Sequence, residues 1–300
     1  MKIAVTGAFS YSGKYITGKL LDRGEEVITL TNHPNRPDPF NGKVKAFPLN
    51  FSDKNELTEN LRGVDVLVNT YWVRFDKGSN TQPRAVKNTK VLVDAAVEAG
   101  VKRIVHISIT QPSADSHLPY FWGKAANEKF VVDSGLGYAI LRPTVLFGKE
   151  DLLINNIAWL LRRFPVFGLP GDGAYRLSPV YVDDLAELAV EAVYKKENYV
   201  WDAVGPDELT FKELVEWIGK TIGKKRLLLP FPPRLALFAA QFLSLFVNDV
   251  MLTPEEVDGL MANMLISNEP PRCKTSIKDW LKENQKTVGV HYASELARHF

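Results

Sequence analysis

Over the first 150 residues, short unbroken apolar runs alternate with longer stretches of helical periodicity. No other feature narrows the choice of fold as much. Ile3–Thr6, Val27–Leu30, Val44–Phe47, Val64–Val68, Arg103–Ile107 and Tyr138–Leu141 read as strands. Between them lie a helix carrying Ile16, Leu20 and Leu21 and stopped by Gly24, and a helix over 53–61 with Ser52 as its expected N-cap. A third helix puts Val91, Leu92, Ala95, Ala96 and Ala99 on one face before Gly100, and a fourth covers Tyr120–Val132. Strands that are apolar along their whole length are buried on both faces, which requires a parallel sheet between two helix layers. The expected fold class is α/β with a doubly wound parallel sheet.

Beyond Gly148 the alternation weakens. A helix over Leu152–Arg163 leads into a Gly/Pro-rich turn, Phe167–Gly173, and strands at Val180–Val182 and Tyr199–Val204 flank a helix over Leu185–Val193. The last hundred residues read mainly as helices: Phe211–Ile222, Leu235–Val247, Pro254–Met264 and Ser276–Asn284. Residues 1–150 with 176–205 are therefore expected to form one domain. Residues 151–175 with 206–300 are expected to form a smaller, mostly helical one.

Several function classes drop out on composition. Lys plus Arg number 37 against 35 for Asp plus Glu, so no global basic excess exists to neutralise a phosphate backbone, and nucleic acid is not the expected partner. The single cysteine, Cys273, excludes an intrachain disulfide, and the five histidines never fall at metal-ligand spacing, so no metal site is expected. The densely apolar stretch Leu227–Val247 is broken by Pro230, Pro232, Pro233 and Arg234, and its uninterrupted part is shorter than the about 20 residues a span needs. It reads as a buried or partner-facing helix rather than a membrane contact, and no transmembrane segment is expected. The chain runs from Met1 straight into a strand, with no room for a signal peptide, so the cytoplasm is the expected compartment.

Two motifs carry chemistry. Thr6-Gly7-Ala8-Phe9-Ser10-Tyr11-Ser12-Gly13 follows the first strand and opens the first helix. A turn of this kind lets a dinucleotide pyrophosphate approach backbone N–H groups at a helix N-terminus, although Ser10 stands where a second glycine is expected. In Tyr120-Phe-Trp-Gly-Lys124, the two ionisable side chains sit at i and i+4 on one helix face. A neighbouring ammonium favours the phenolate, making such a tyrosine a usable acid or base near neutrality.

Together these motifs resemble the short-chain dehydrogenase/reductase superfamily in its extended and atypical branches. The resemblance spans about the first 205 residues. It includes Asn88 with Val91–Ala96, Ala99–Arg103, Glu128 after Lys124, Leu141-Arg142-Pro143-Thr144 with Gly148, and the late Tyr181–Ala186 segment. The resemblance implies a Rossmann domain binding NAD(P), with Tyr120 as catalytic acid/base and Lys124 holding the nicotinamide ribose. Ile109 occupies the usual polar slot after the fifth strand, so Ser108 or Thr110 would have to orient the substrate oxygen. The implied cofactor-binding residues are Gly7, Ser10, Tyr11, Ser12, Gly13, Asn32, Arg36, Asn50, Phe51, Thr70, Lys124 and Pro143, with Asn50 and Phe51 at the adenine.

Members that use NAD typically carry an acid at the end of the second strand. Here Thr31-Asn32-His33-Pro34-Asn35-Arg36 has none, and Arg36 is available to a 2′-phosphate, so NADP is the expected cofactor with NAD the alternative. Tyr71, Trp72, Arg74, Phe75, Phe121, Trp122 and Trp159 suit either a cleft for an apolar or aromatic small molecule or ordinary core packing. Arg162 and Arg163 are candidates for a nucleotide-sugar diphosphate or simply an exposed helix face.

The reaction implied is hydride transfer between NADP(H) and a carbonyl or alcohol. The alternatives are a sugar-nucleotide epimerase or dehydratase with bound NAD, and a non-catalytic sensor or scaffold like the NmrA-like regulators and the complex I accessory subunit. Dimerisation through two helices is a habit of the family, so a homodimer is the assembly the resemblance implies.

Overall fold

The computed structural model describes residues 1–33 and 36–299, and the chain divides into two units. The first comprises Met1–Pro143 with Val182–Ala203, and the second Thr144–Tyr181 with Val204–Phe300.

Along the chain the first unit begins β1 (Lys2–Thr6), α1 (Tyr11–Asp22), β2 (Glu26–Thr31), β3 (Lys45–Pro48), α2 (Lys54–Leu61) and β4 (Val66–Asn69). It continues with α3 (Gln82–Glu98), β5 (Arg103–Ile107), α4 (Pro119–Asp133) and β6 (Gly137–Pro143). The second unit takes β7 (Leu146–Phe147), α5 (Leu153–Arg163), β8 (Val166–Pro170), β9 (Arg176–Leu177) and β10 (Val180–Tyr181). The chain returns to the first unit for α6 (Val182–Tyr194) and β11 (Tyr199–Ala203). It then completes the second with β12 (Leu209–Thr210), α7 (Phe211–Thr221), β13 (Leu227–Phe231), α8 (Pro233–Val247), α9 (Pro254–Met261), α10 (Ile277–Asn284) and α11 (Leu296–His299).

In the first unit seven parallel strands lie in the order β3-β2-β1-β4-β5-β6-β11. The chain reverses direction across the sheet between β1 and β4. Loops leaving the carboxyl ends of those two strands therefore diverge and open a crevice. Every residue of β4 and β5 is buried, as expected of central strands covered on both faces. Ala4, Ile28, Leu30, Leu67 and Ile104 of the sheet join Leu57, Leu61, Leu92, Ala95, Ala96 and Val131 of α2, α3 and α4 in one core. On the opposite face α1 packs against α6.

One expectation about this unit is corrected. Asp53 rather than Ser52 caps α2, because its carboxylate accepts from the Glu56 N–H at 3.0 Å, whereas the Ser52 N–H turns back to Asn50 Oδ1. A carboxylate also suits the positive end of the helix better than a hydroxyl.

The second unit is built round α5 and α7, with Ile154, Ile157 and Leu161 packed among Leu214, Val215, Ile218, Trp280 and Leu281. One reading changes here, and another left open is narrowed. The stretch expected to be a Gly/Pro-rich turn contains strand β8, which pairs in parallel with β13. Phe167 and Leu169 are buried, and the turn is confined to Gly171–Gly173. The prolines are tolerated because β8 and β13 form a two-stranded sheet with open edges. The apolar helix α8 is not buried: Ala240 alone among its residues is. No helix among the described residues is long and apolar enough to cross a membrane.

Candidate functional site

At the carboxyl end of β1 the chain turns through Gly7, whose φ of 67° favours glycine, and the Ser10 N–H and Oγ both bond back to the Gly7 carbonyl at 2.8 and 2.6 Å. A Cβ on Gly13 would lie 2.2 Å from that carbonyl oxygen, so glycine is required where α1 presses on the turn. Because Ser10 Oγ faces Gly7, it does not cap α1, and the first turn of the helix contains no acid. The leading amides of α1, at Tyr11, Ser12 and Gly13, are thus placed to meet an anion at the positive end of the helix dipole. Thr70, just past β4, bonds to Thr6 through both its N–H and its hydroxyl, which holds it beside the same turn.

Next to this turn, a cavity of about 340 Å³ is lined by Thr31, Asn32, Asn50, Phe51, Tyr71 and Arg84, among others. Phe51 and Tyr71 form its aromatic wall, their ring centroids 4.7 Å apart, and Asn88 donates to the Tyr71 hydroxyl at 2.9 Å. Tyr71, grouped with the substrate-side aromatics on sequence, belongs to this cavity instead. Burial raises the pKa of its phenol, so it lines the wall as a neutral group. Asn50 is fixed by Glu56, which accepts from its amide at 2.8 Å. Of the stretch read for cofactor choice, Thr31, Asn32, His33 and Arg36 are described, while Pro34 and Asn35 lie outside the described residues. Arg36 is half-buried, its N–H bonded to the His33 carbonyl, and its charge helps depress the His33 pKa after the larger effect of burial.

At the carboxyl end of β5 the geometry modifies the sequence reading. Tyr120 and Lys124 do share one face of α4, and both close on the indole of Trp72. The Tyr120 ring meets it edge-on at 5.6 Å, and Lys124 Nζ stands 5.0 Å from its centroid. Gly123 makes the contact feasible, since a Cβ there would be 2.5 Å from the indole. Lys124 is 3% exposed and donates to the Ile107 carbonyl at 2.9 Å. Burial pulls its pKa down to about 7, against a smaller opposing pull from Glu128, so the ammonium expected beside Tyr120 itself titrates near neutrality.

His106 lies fully buried beneath, its Nδ1 3.1 Å from the Asn69 amide, and burial holds its pKa near 3, so the ring is neutral. The buried His106 Nε2, Ser108 Oγ, Trp72 Nε1 and both polar atoms of Asn127 have no hydrogen-bond partner among the described residues. Pro143 ends β6 and accepts from the Thr110 N–H, while Ile109 is buried, as are Ser108 and Thr110 beside it.

Other candidates are occupied elsewhere. Arg162 donates to the carbonyls of Val288 and Gln285, and Arg163 to those of Trp159 and Val290, so the pair ties down the C-terminal segment of the second unit. Trp159 packs on Phe164 and Tyr292 in the same unit, and Cys273 is buried. Among the described residues no cluster of His, Cys, Asp or Glu is arranged to hold a metal. The contact of Trp72 with Tyr120 and Lys124, and the buried His106, Asn69 and Asn127, were not foreseen from the sequence. The signal available was a histidine inside the apolar run Arg103–Ile107.

Residues 7–155 match the family model described as NAD(P)H-binding. With the sheet order and glycine turn above, the chain carries an NAD(P)H-binding domain on a doubly wound, Rossmann-like α/β fold. Among individual proteins, it is 29% identical over 223 residues to an uncharacterised protein of Mycobacterium tuberculosis; the match covers 73% of this chain, which spans only 23% of that relative's length. It is 23% identical to an Arabidopsis thaliana mitochondrial NADH dehydrogenase [ubiquinone] 1 alpha subcomplex subunit 9, covering 88% of this chain and 70% of that one. In structure it resembles Citrobacter triphenylmethane reductase, with a TM-score of 0.80 at 18% identity over 95% of this chain and all (100%) of that one. It also resembles an Escherichia coli NADPH-dependent quinone oxidoreductase in complex with NADPH, with a TM-score of 0.75 at 19% identity over 97% of both chains.

Proposed function

We propose that this protein is an NADPH-dependent reductase of a flat, conjugated acceptor such as a quinone or an aromatic carbonyl. The observation that carries the reading is the slot on α4. Tyr120, Gly123 and Lys124 close round a planar indole, so the same three positions accommodate a planar ring once Trp72 leaves. When bound, the dinucleotide supplies the hydride. Tyr11, Ser12 and Gly13 would hold its pyrophosphate, whereas Gly7 and Ser10, expected on sequence to do so, have their donors bonded to the Leu30 and Gly7 carbonyls and shape the turn instead. Thr70 would support the turn and Pro143 flank the nicotinamide. Asn50, Phe51 and Asn32 would hold the adenosine, and Arg36 its 2′-phosphate.

Lys124 takes the ribose hydroxyls in exchange for the Ile107 carbonyl, Tyr120 delivers the proton to the substrate oxygen, and Ser108 Oγ orients that oxygen. The orphaned Ser108 hydroxyl and the lack of a side-chain cap on α1 support this assignment. So do the acceptors named for the two similar structures, triphenylmethane dyes and quinones.

The test follows NADPH oxidation with a benzoquinone and an aromatic aldehyde. Tyr120→Phe is expected to lower kcat by about 100-fold or more while leaving the NADPH Kd unchanged. Equal rates in the two proteins would overturn the role of Tyr120.

A second reading, NADPH binding without turnover, draws support from Trp72 covering Lys124 and from Ile109 in the usual polar slot. It would replace the first if NADPH bound tightly but neither the natural protein nor Trp72→Ala reduced any acceptor. The epimerase reading weakens because Arg162 and Arg163 are engaged with backbone carbonyls.

A further inference from the structure

Helix α8 of the second unit presents Leu235, Phe238, Phe242, Leu245 and Phe246 outward, with Leu245 at 79% and Phe246 at 73% exposure. Scattered exposed hydrophobics are ordinary, but five on one short helix form a face that needs a partner. We infer that α8 lies flat in the headgroup region of an anionic membrane. This rests on the exposed helix and its flanking charges and is independent of the reductase reading.

Length allows lying on a bilayer and excludes crossing one. Fifteen residues reach about 22 Å at 1.5 Å per residue, against a hydrocarbon core of about 30 Å. Charge selects the kind of surface. From Ile222 to Asn248 there is no acid, and the cations are Lys224, Lys225, Arg226 and Arg234. Lys224, Lys225 and Arg234 are exposed, while Arg226 is bonded to the Leu161 carbonyl. Arg234 sits in the first turn of α8, where a cation opposes the helix dipole, so helix stability does not explain its placement. An anionic headgroup does. Asp249, the first acid after the helix, is buried and accepts from the Tyr292 hydroxyl and the N–H groups of Glu295 and Leu296, which keeps its charge off this face.

A second protein is a poorer fit. Protein interfaces carry about one hydrogen bond per 100–200 Å². Between Leu235 and Val247 the polar side chains are Gln241 and Ser244, and the Ser244 hydroxyl already bonds the Ala240 carbonyl and the Met251 N–H. Lipid needs no such partners. Val166 and Leu227, register partners in the sheet that α8 packs against, are exposed as well.

The experiment is flotation of the full chain with vesicles of phosphatidylcholine alone and of phosphatidylcholine mixed with phosphatidylglycerol. Two variants accompany it, Phe242→Ser/Phe246→Ser and Lys224→Glu/Lys225→Glu. The thermal midpoint checks that both fold, as exposed positions should allow. The protein should float with the anionic vesicles and lose binding as salt rises, and each double variant should bind at least about tenfold less. Three results would overturn the inference: no flotation with either vesicle, equal binding to neutral and anionic vesicles, or undiminished binding by the phenylalanine variant. A dimer in sedimentation that the phenylalanine variant dissociates, without vesicle binding, would overturn it in favour of a second copy as the occupant.

Discussion

An added methyl at Gly13 would stand 2.2 Å from the Gly7 carbonyl oxygen, a contact with backbone on both sides that no rotamer change relieves. Gly13→Ala is therefore expected to cost about 1–3 kcal/mol through overpacking, seen as a lower thermal midpoint, and to weaken dinucleotide binding by displacing the amides of α1. An unchanged midpoint and affinity would mean the turn is looser than described.

Lys124 makes a pH prediction. Its folded pKa is near 7, below the ordinary lysine value of 10.5. Between those limits the unfolded chain holds a proton that the folded chain has released, so stability should rise with pH across that window. Below about pH 7 both states are charged and the full cost of burying the ammonium is felt. Lys124→Met should flatten the rise and, at about pH 6, stabilise the fold by on the order of 2 kcal/mol, as read from denaturant melts at several pH values. A rise of equal size in the variant would sink the assignment.

The positions of Tyr120 and Lys124 were legible because i and i+4 spacing dictates a shared helix face. Trp72 was not, because it arrives from the loop after β4, and loop paths leave no periodicity to read.

Among the elements, β5 and α6 are coupled by one buried side chain. Arg103 donates to the carbonyls of Ala192 and Glu197 at 2.9 and 2.8 Å, satisfying groups at and just beyond the end of α6. Replacing it with Met keeps the aliphatic stem but orphans those carbonyls. A loss of about 2–4 kcal/mol is expected in chemical denaturation, and less than about 0.5 kcal/mol would show that the carbonyls find other partners.

Strands β8 and β13 were the least legible elements in the sequence. In Val166–Pro170 the alternation of Phe167 and Leu169 with Gly168 is a two-residue strand period, but Gly168, Pro170, Gly171 and Gly173 gave a stronger turn signal. Both strands are short and edge-exposed, so neither has the continuous burial that made β4 and β5 plain. Helix α8 was legible as a helix. Whether it is buried or faces outward stayed open, because an apolar sequence records what a segment avoids and not what covers it.

At the level of the molecule, the doubly wound sheet follows from strands apolar on both faces, and the crevice follows from the strand order. The glycine turn, the cavity walled by Phe51 and Tyr71 and the α4 slot all lie in the first unit. The second unit carries its own core round α5 and α7 and the exposed α8. Composition excluded neither an enzyme nor a carrier, so function has to be read from the crevice.

The central claim is that this crevice selects NADPH. It is tested most directly by calorimetric titration with NADPH and NADH of the natural protein and of Arg36→Ala. The account predicts tighter binding of NADPH, and a loss of about 10- to 100-fold in the variant for NADPH alone, the size of a lost charge-assisted contact. Preference for NADH, or an equal loss for both nucleotides, would contradict it.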